Sequence, residues 1–266
     1  MSGDEVVILV ISAILALMFW GTWYIKPALV RHVGRRPSRR WLLQVTPIAA
    51  AALLWVVLRN AASYDVRDDP RYLAFYLVLG AAWVGLFMRS LVLAGISTRD
   101  DVVERANGSA AIVVAGAMLA LTLCYAGGNV GDGPGWWVVV FAAGLSTLAL
   151  YAAWMLLEMA TGVSDVVTVD RDGSAALRLA GFLVACGLIL GRAVAGDWVS
   201  VEDTVRDFAL VAWPVLALVA AAALVERTLR PTPETPRPAL LPYGVMPGLA
   251  YVASAAYQVM RLDLPL

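Results

Sequence analysis

From Val6 to Ile25 the chain runs for twenty residues without a charged side chain. Coiled as a helix, that length crosses about 30 Å of hydrocarbon. Trp41 to Leu58 repeats the pattern, and further apolar runs follow down to the C-terminal region. None shows the ten-residue alternation of an outer-membrane strand. Composition agrees: 61% of the residues are hydrophobic and 15% charged, with a mean hydropathy of +0.77, where soluble domains carry about one quarter charged residues. The expected fold is all-α, a polytopic transmembrane helical bundle of about eight helices in a single integral membrane domain over 1–266.

The expected helices cover about 5–26, 42–59, 72–94, Gly108 to near Tyr125, Trp136 to near Glu158, 173–195, 207–225 and 244–260. Gly127 to Gly135 holds five further glycines or prolines at 128, 131, 133, 134 and 135, so it reads as a turn. Trp136 and Trp137 then sit where interfacial tryptophans gather. The acidic start, Met1-Ser2-Gly3-Asp4-Glu5, lacks the positive n-region of a signal peptide, so the first run is expected to be a retained helix. Fourteen of the twenty Lys and Arg fall on the side that carries loops 1–2, 3–4, 5–6 and 7–8. The positive-inside rule puts that side in the cytoplasm and both termini outside.

Two apolar segments open with the same word, Gly108-Ser109-Ala110-Ala111 and Gly173-Ser174-Ala175-Ala176, 65 residues apart. Val102-Val103 and Val166-Val167 precede them, and Gly131-Asp132 and Gly196-Asp197 follow them. Fainter copies lie at Gly244 to Ala255 and Gln44 to Ala51. Recurrence at a fixed period indicates repeated supersecondary units, here four quasi-repeated hairpins of about 1–70, 71–135, 136–200 and 201–266. Small residues suit their packing, because in lipid close backbone contact must replace the hydrophobic drive. Gly108, Ala111, Ala115 and Gly116 mark such a face on the fourth expected helix. Gly173, Ala176, Ala180, Gly181, Gly187 and Gly191 mark one on the sixth.

The segment from Leu157-Glu158 through Asp165-Val166-Val167 and Gly173-Ser174-Ala175-Ala176-Leu177-Arg178-Leu179-Ala180-Gly181 to Gly196-Asp197 resembles the bacterial inner-membrane family called domain of unknown function 350. That family has paired two-helix units whose even helix opens with Gly-Asn-x-Ala-Ala; Ser109 and Ser174 stand here where it has asparagine. The likeness covers about 70–230 and is weakest in the N-terminal hairpin. It implies a multi-pass protein of a bacterial cytoplasmic membrane with no assigned activity, and a link to membrane stress or polyamine-related systems.

Ionisable groups within a membrane are default functional candidates. Lys26, Arg89, Glu158 and Glu226 occupy related levels near the ends of odd helices. They either snorkel to the interface or pair within the bundle, Arg89 with Glu158 or Glu226. The Arg31 to Arg40 stretch is a topology signal and a candidate for anionic lipid, at about 1 kcal/mol per basic residue near the surface. His32 is the only histidine and Lys26 the only lysine, so neither a histidine cluster nor a last-helix Schiff base can be built. Cys124 and Cys186 lie within apolar runs, which argues against a metal site or disulfide framework. Zero formal net charge leaves no footprint for nucleic acid.

These readings favour a non-enzymatic, cofactor-free membrane component of the transporter or channel class, with the lipid bilayer as partner and a homo-oligomer compatible with its surface. The alternative is a structural or membrane-stress module that recruits a soluble partner. A continuous polar cavity would favour conduction; a solid core would favour the scaffold.

Overall fold

The computed structural model describes residues 1–29, 41–232, 234 and 238–262, with side chains described to residue 25 in the first helix. Every regular element among them is helical. The elements are α1 (Gly3–Leu29), α2 (Trp41–Asn60), α3 (Tyr64–Asp68), α4 (Pro70–Phe87), α5 (Gly108–Gly127), α6 (Trp136–Thr161), α7 (Val163–Thr168), α8 (Gly173–Ala193), α9 (Val201–Ala212), α10 (Pro214–Thr228) and α11 (Met246–Arg261). Among the described residues, seven stretches are long and apolar enough to cross a membrane, α9 and α10 together forming the last of them. The 16-residue α11 supplies the eighth helix of the bundle. Large apolar side chains such as Leu17, Ile48, Leu148, Leu216 and Leu224 are exposed on the spans. That is how a chain solvated by hydrocarbon presents itself.

The helices stand in two rows. In one, α2, α5, α8 and α11 pack side by side in chain order; in the other, α1 packs on α4 and α6 on α10, with α6 also against α5 and α8. Side chains close the gap between α4 and α6, where Trp83 Nε1 donates to Thr147 Oγ1 at 3.2 Å and Tyr151 OH donates to the Phe87 carbonyl at 2.6 Å. α5 and α8, at the centre, are the most buried spans and α1 the least.

Local chemistry 65 residues apart takes the same form. Ala106 and Arg171 both adopt positive φ, 52° and 57°, which turns the chain sharply before α5 and α8. Each is followed by a capping side chain: Asn107 Oδ1 accepts from the backbone N–H of Ser109 at 2.9 Å, and Asp172 Oδ1 from that of Ala175. Ser109 Oγ then donates to the Arg171 carbonyl at 2.8 Å, and Ser174 Oγ to the Pro238 carbonyl at 3.3 Å. The serine of the shared word thus ties its helix to the loop before the next even helix. At the opposite end, Gly131 N–H donates to Ala61 O and Gly196 N–H to Val130 O, joining the ends of α2, α5 and α8 through their backbones.

Asn107 does two jobs, since its Nδ2 also donates to the Val167 carbonyl at 2.9 Å while the residue is buried. Losing a helix cap costs about 0.5–2 kcal/mol, and the orphaned Val167 carbonyl adds to that. Asn107→Ala is therefore expected to destabilise by about 2 kcal/mol or more, read as a lower unfolding temperature in detergent. Asp100→Ala, at an exposed position, should change it far less.

Candidate functional site

Two places carry chemistry. The first is an ion pair inside the bundle, between α8 and α10. Arg178 Nε and Nη2 meet Glu226 Oε1 and Oε2 at 2.7 and 2.6 Å, a two-point fork, and Nη1 donates to the Tyr243 carbonyl. Arg178 is 0% and Glu226 6% exposed. The pair joins three elements, because Tyr243 lies in the wide helical turn Leu241–Val245 that leads into α11. The Tyr251 hydroxyl, on α11, is buried without a hydrogen-bond partner among the described residues.

The second is a cavity of about 530 Å³ between α1, α2, the end of α4 and the wide turn Thr98–Glu104. Arg89 lies in its wall. The guanidinium stacks 4.6 Å above the centre of the Phe19 ring and donates to Thr22 Oγ1 at 3.1 Å. Trp20 and Trp23 line the same space edge to face, 5.6 Å apart. Their indole N–H groups are already committed, to the carbonyls of Ala81 and Leu43 at 2.9 Å each. They therefore offer apolar surface to the cavity. Of the other charged lining groups, Arg99 and Glu104 neutralise each other at 2.9 Å.

The four expected intramembrane charges thus go to different fates. Arg89 pairs with neither Glu158 nor Glu226; aromatic stacking and a threonine hold it instead. Glu158 turns inward as a cap, accepting from Ser164 N–H at 2.9 Å and from Ser164 Oγ at 2.8 Å just beyond the end of α6. Ser164 Oγ also lies 2.6 Å from the Ala94 carbonyl, the other acceptor within its reach. Glu226 does not snorkel but is buried against Arg178. Lys26 lies on α1 with its side chain outside the described residues, and the Arg31–Arg40 stretch falls outside them altogether. Arg178, inside the repeated segment, is the charge that residue type and helix-end position do not mark as a partner for Glu226. The usable signal was depth: Arg178 lies one and a half turns into α8 and Glu226 near the end of α10, which places two lone opposite charges at one level of neighbouring antiparallel helices.

The small residues do set close helix approach. A Cβ on Gly116 would lie 2.7 Å from Ala180 Cα, on Gly187 2.8 Å from Ala120 Cα, and on Gly191 2.5 Å from Leu123 O. α8 approaches α11 as closely, with a Gly181 Cβ 2.5 Å from Gly248 O. Ala111 and Ala176 are fully buried, one turn in from Gly108 and Gly173, which open α5 and α8; Ala115 is half-buried beside Gly116. Cys124 and Cys186 are free and buried on these two helices. Compared with protein-family models, with curated proteins and with solved structures, the chain has no match in any of the three.

Proposed function

We propose that this chain is a non-enzymatic membrane scaffold, a solid array of four hairpin copies that presents a ligand pocket on its Arg-rich side. The carrying observation is the backbone-on-backbone seam that runs through α5, α8 and α11. A solute route between these helices would require them to separate, and the buried Arg178–Glu226 fork on the flank of α8 opposes that. The pocket beside Arg89 is the place where the described residues offer both volume and an uncompensated charge. The distribution of Lys and Arg supports placing it on the cytoplasmic side with both termini outside, and the resemblance to domain of unknown function 350 supports a bacterial inner membrane. The shared words and caps support reading the hairpins as copies of one unit, similar to the paired two-helix units of domain of unknown function 350.

A transporter- or channel-like component is the second reading, favoured by the parallel recurrence of the hairpins. Flux separates the two. Protein reconstituted in liposomes, with its fold and orientation verified, is expected to carry protons, potassium and polyamines no faster than protein-free vesicles do. Flux that falls in Glu226→Gln or Arg89→Gln would overturn the scaffold reading.

A further inference from the structure

The geometry points to the Arg89 cavity as a binding site for an anionic phospholipid, its phosphate at Arg89 and the start of an acyl chain against Phe19, Trp20, Trp23 and Val92. This rests on the reading of that cavity as the functional surface of the scaffold.

Four observations converge on this occupant. The volume, about 530 Å³, lies in the range of sites that enclose a small ligand. Arg89 forms no ion pair among the described residues, while the other cation in the wall, Arg99, is answered by Glu104, so the cavity carries one unanswered positive charge. A guanidinium clamped over a ring and held by one hydroxyl keeps further N–H groups for a phosphate, which it grips as a planar fork. Depth also fits. Thr22 and Trp23 end the span Gly3–Ile25, and Arg89 lies in the last part of the span Pro70–Ala94, the level at which headgroups meet tryptophan belts.

The walls distinguish a lipid from a soluble anion. Both indole N–H groups are spent, and Val92, beside Leu93, is exposed toward the surroundings at 59%. A free phosphate would leave that apolar surface without a partner, whereas an acyl chain entering from the bilayer covers it. The sequence that joins the α1 and α2 walls carries Lys26, Arg31, Arg35, Arg36, Arg39 and Arg40. Their charge draws anionic lipid to this side of the protein.

The test uses the full chain in nanodiscs of phosphatidylcholine, with acyl-brominated phosphatidylglycerol or acyl-brominated phosphatidylcholine added, and follows quenching of tryptophan fluorescence. Brominated phosphatidylglycerol is expected to quench at lower mole fraction, through a component missing in Trp20→Phe/Trp23→Phe. In Arg89→Gln the midpoint should move about tenfold, the size of one charge-assisted hydrogen bond, with partial recovery in Arg89→Lys. Val92→Glu, which places a carboxylate at an exposed wall position, should lose the preference without touching Arg89. Equal quenching by the two lipids, or an Arg89→Gln curve that overlays the parent, overturns the assignment. Displacement by inorganic phosphate overturns it in favour of a soluble anion. Solute flux with the lipid preference intact would remove the scaffold reading and leave this site standing; loss of the preference with no flux does the reverse.

Discussion

Glu226→Ala is expected to cost about 3–5 kcal/mol, because it leaves Arg178 charged and buried with one carbonyl for company. The loss should appear as a collapse in the yield of folded protein or, where protein survives, as a large fall in its unfolding temperature. Arg178→Ala should do similar damage by stranding the carboxylate. Replacing both groups separates the penalty of breaking the pair from the worth of having it. Arg178→Met/Glu226→Leu fills comparable volume with no charge, and buried pairs so replaced are often neutral or gain stability. The double variant should therefore recover to within about 2 kcal/mol of the parent. A reciprocal exchange, Arg178→Glu/Glu226→Arg, keeps the charges yet should rescue only in part. The Tyr243 carbonyl accepts from Arg178, and a carboxylate at 178 would meet that oxygen with no proton to offer. Full rescue by the exchange would mean that the Tyr243 bond contributes nothing.

This pair also shows what the sequence could and could not reveal. Helices were legible because hydrocarbon demands long uncharged runs: α5 and α8 begin at the expected Gly108 and Gly173. Where charge interrupts a run, the reading slipped. The seventh helix was expected from 207, yet α9 starts at Val201, since Ser200 Oγ caps it by accepting from Asp203 N–H at 3.0 Å. Glu202, Asp203, Arg206 and Asp207 are all exposed on that first part, as an amphipathic helix permits. The third helix was expected to reach 94, and its apolar span does end at Ala94; within it α4 stops at Phe87, and a tighter helical turn over Ser90–Ala94 closes at Gly95, φ 79°. The loop 97–105 carries Arg99, Asp100, Asp101, Glu104 and Arg105, with no apolar period to predict a fold for it. It coils instead around the buried Asp101, whose carboxylate accepts from Ser97 N–H at 2.8 Å and from Arg105 at 3.1 Å.

Partners of lone charges were the least legible feature, for a geometric reason. Position along a helix gives depth, but azimuth decides whether a side chain meets a neighbouring helix or lipid. Arg89 and Glu158 share a side of the membrane, yet one turns to Phe19 and Thr22 and the other to Ser164. The serine of the repeated word had a similar fate. Its hydroxyl partners, Arg171 O and Pro238 O, are backbone atoms of the adjoining loop, and no side-chain pattern announces a backbone acceptor.

The other large effect lies at the seam. In Gly127→Ala the new Cβ would fall on the backbone of Gly191, and in Gly191→Ala it would lie 2.5 Å from Leu123 O. No rotamer change relieves such a contact, because the atoms struck are backbone, so α5 and α8 must move apart. Overpacking of a tight core costs about 1–3 kcal/mol and occasionally more, and separation here also strips contact from the glycines above. Each single variant is expected to lose about 3 kcal/mol or more on that basis, seen as a lower unfolding temperature. Gly144→Ala is the control, since its Cβ meets nothing closer than Trp83 Cη2 at 3.8 Å; it should be neutral or gain slightly, as alanine is the better helix former. The decisive case is Gly127→Ala/Gly191→Ala. Both new methyl groups press on the same pair of helices, and a separation opened by the first makes room for the second. The double variant should therefore lose clearly less than the sum of the singles, as coupled neighbours do. Losses that add in full would mean that the two glycines relieve separate strains and that α5 and α8 do not move apart as rigid bodies.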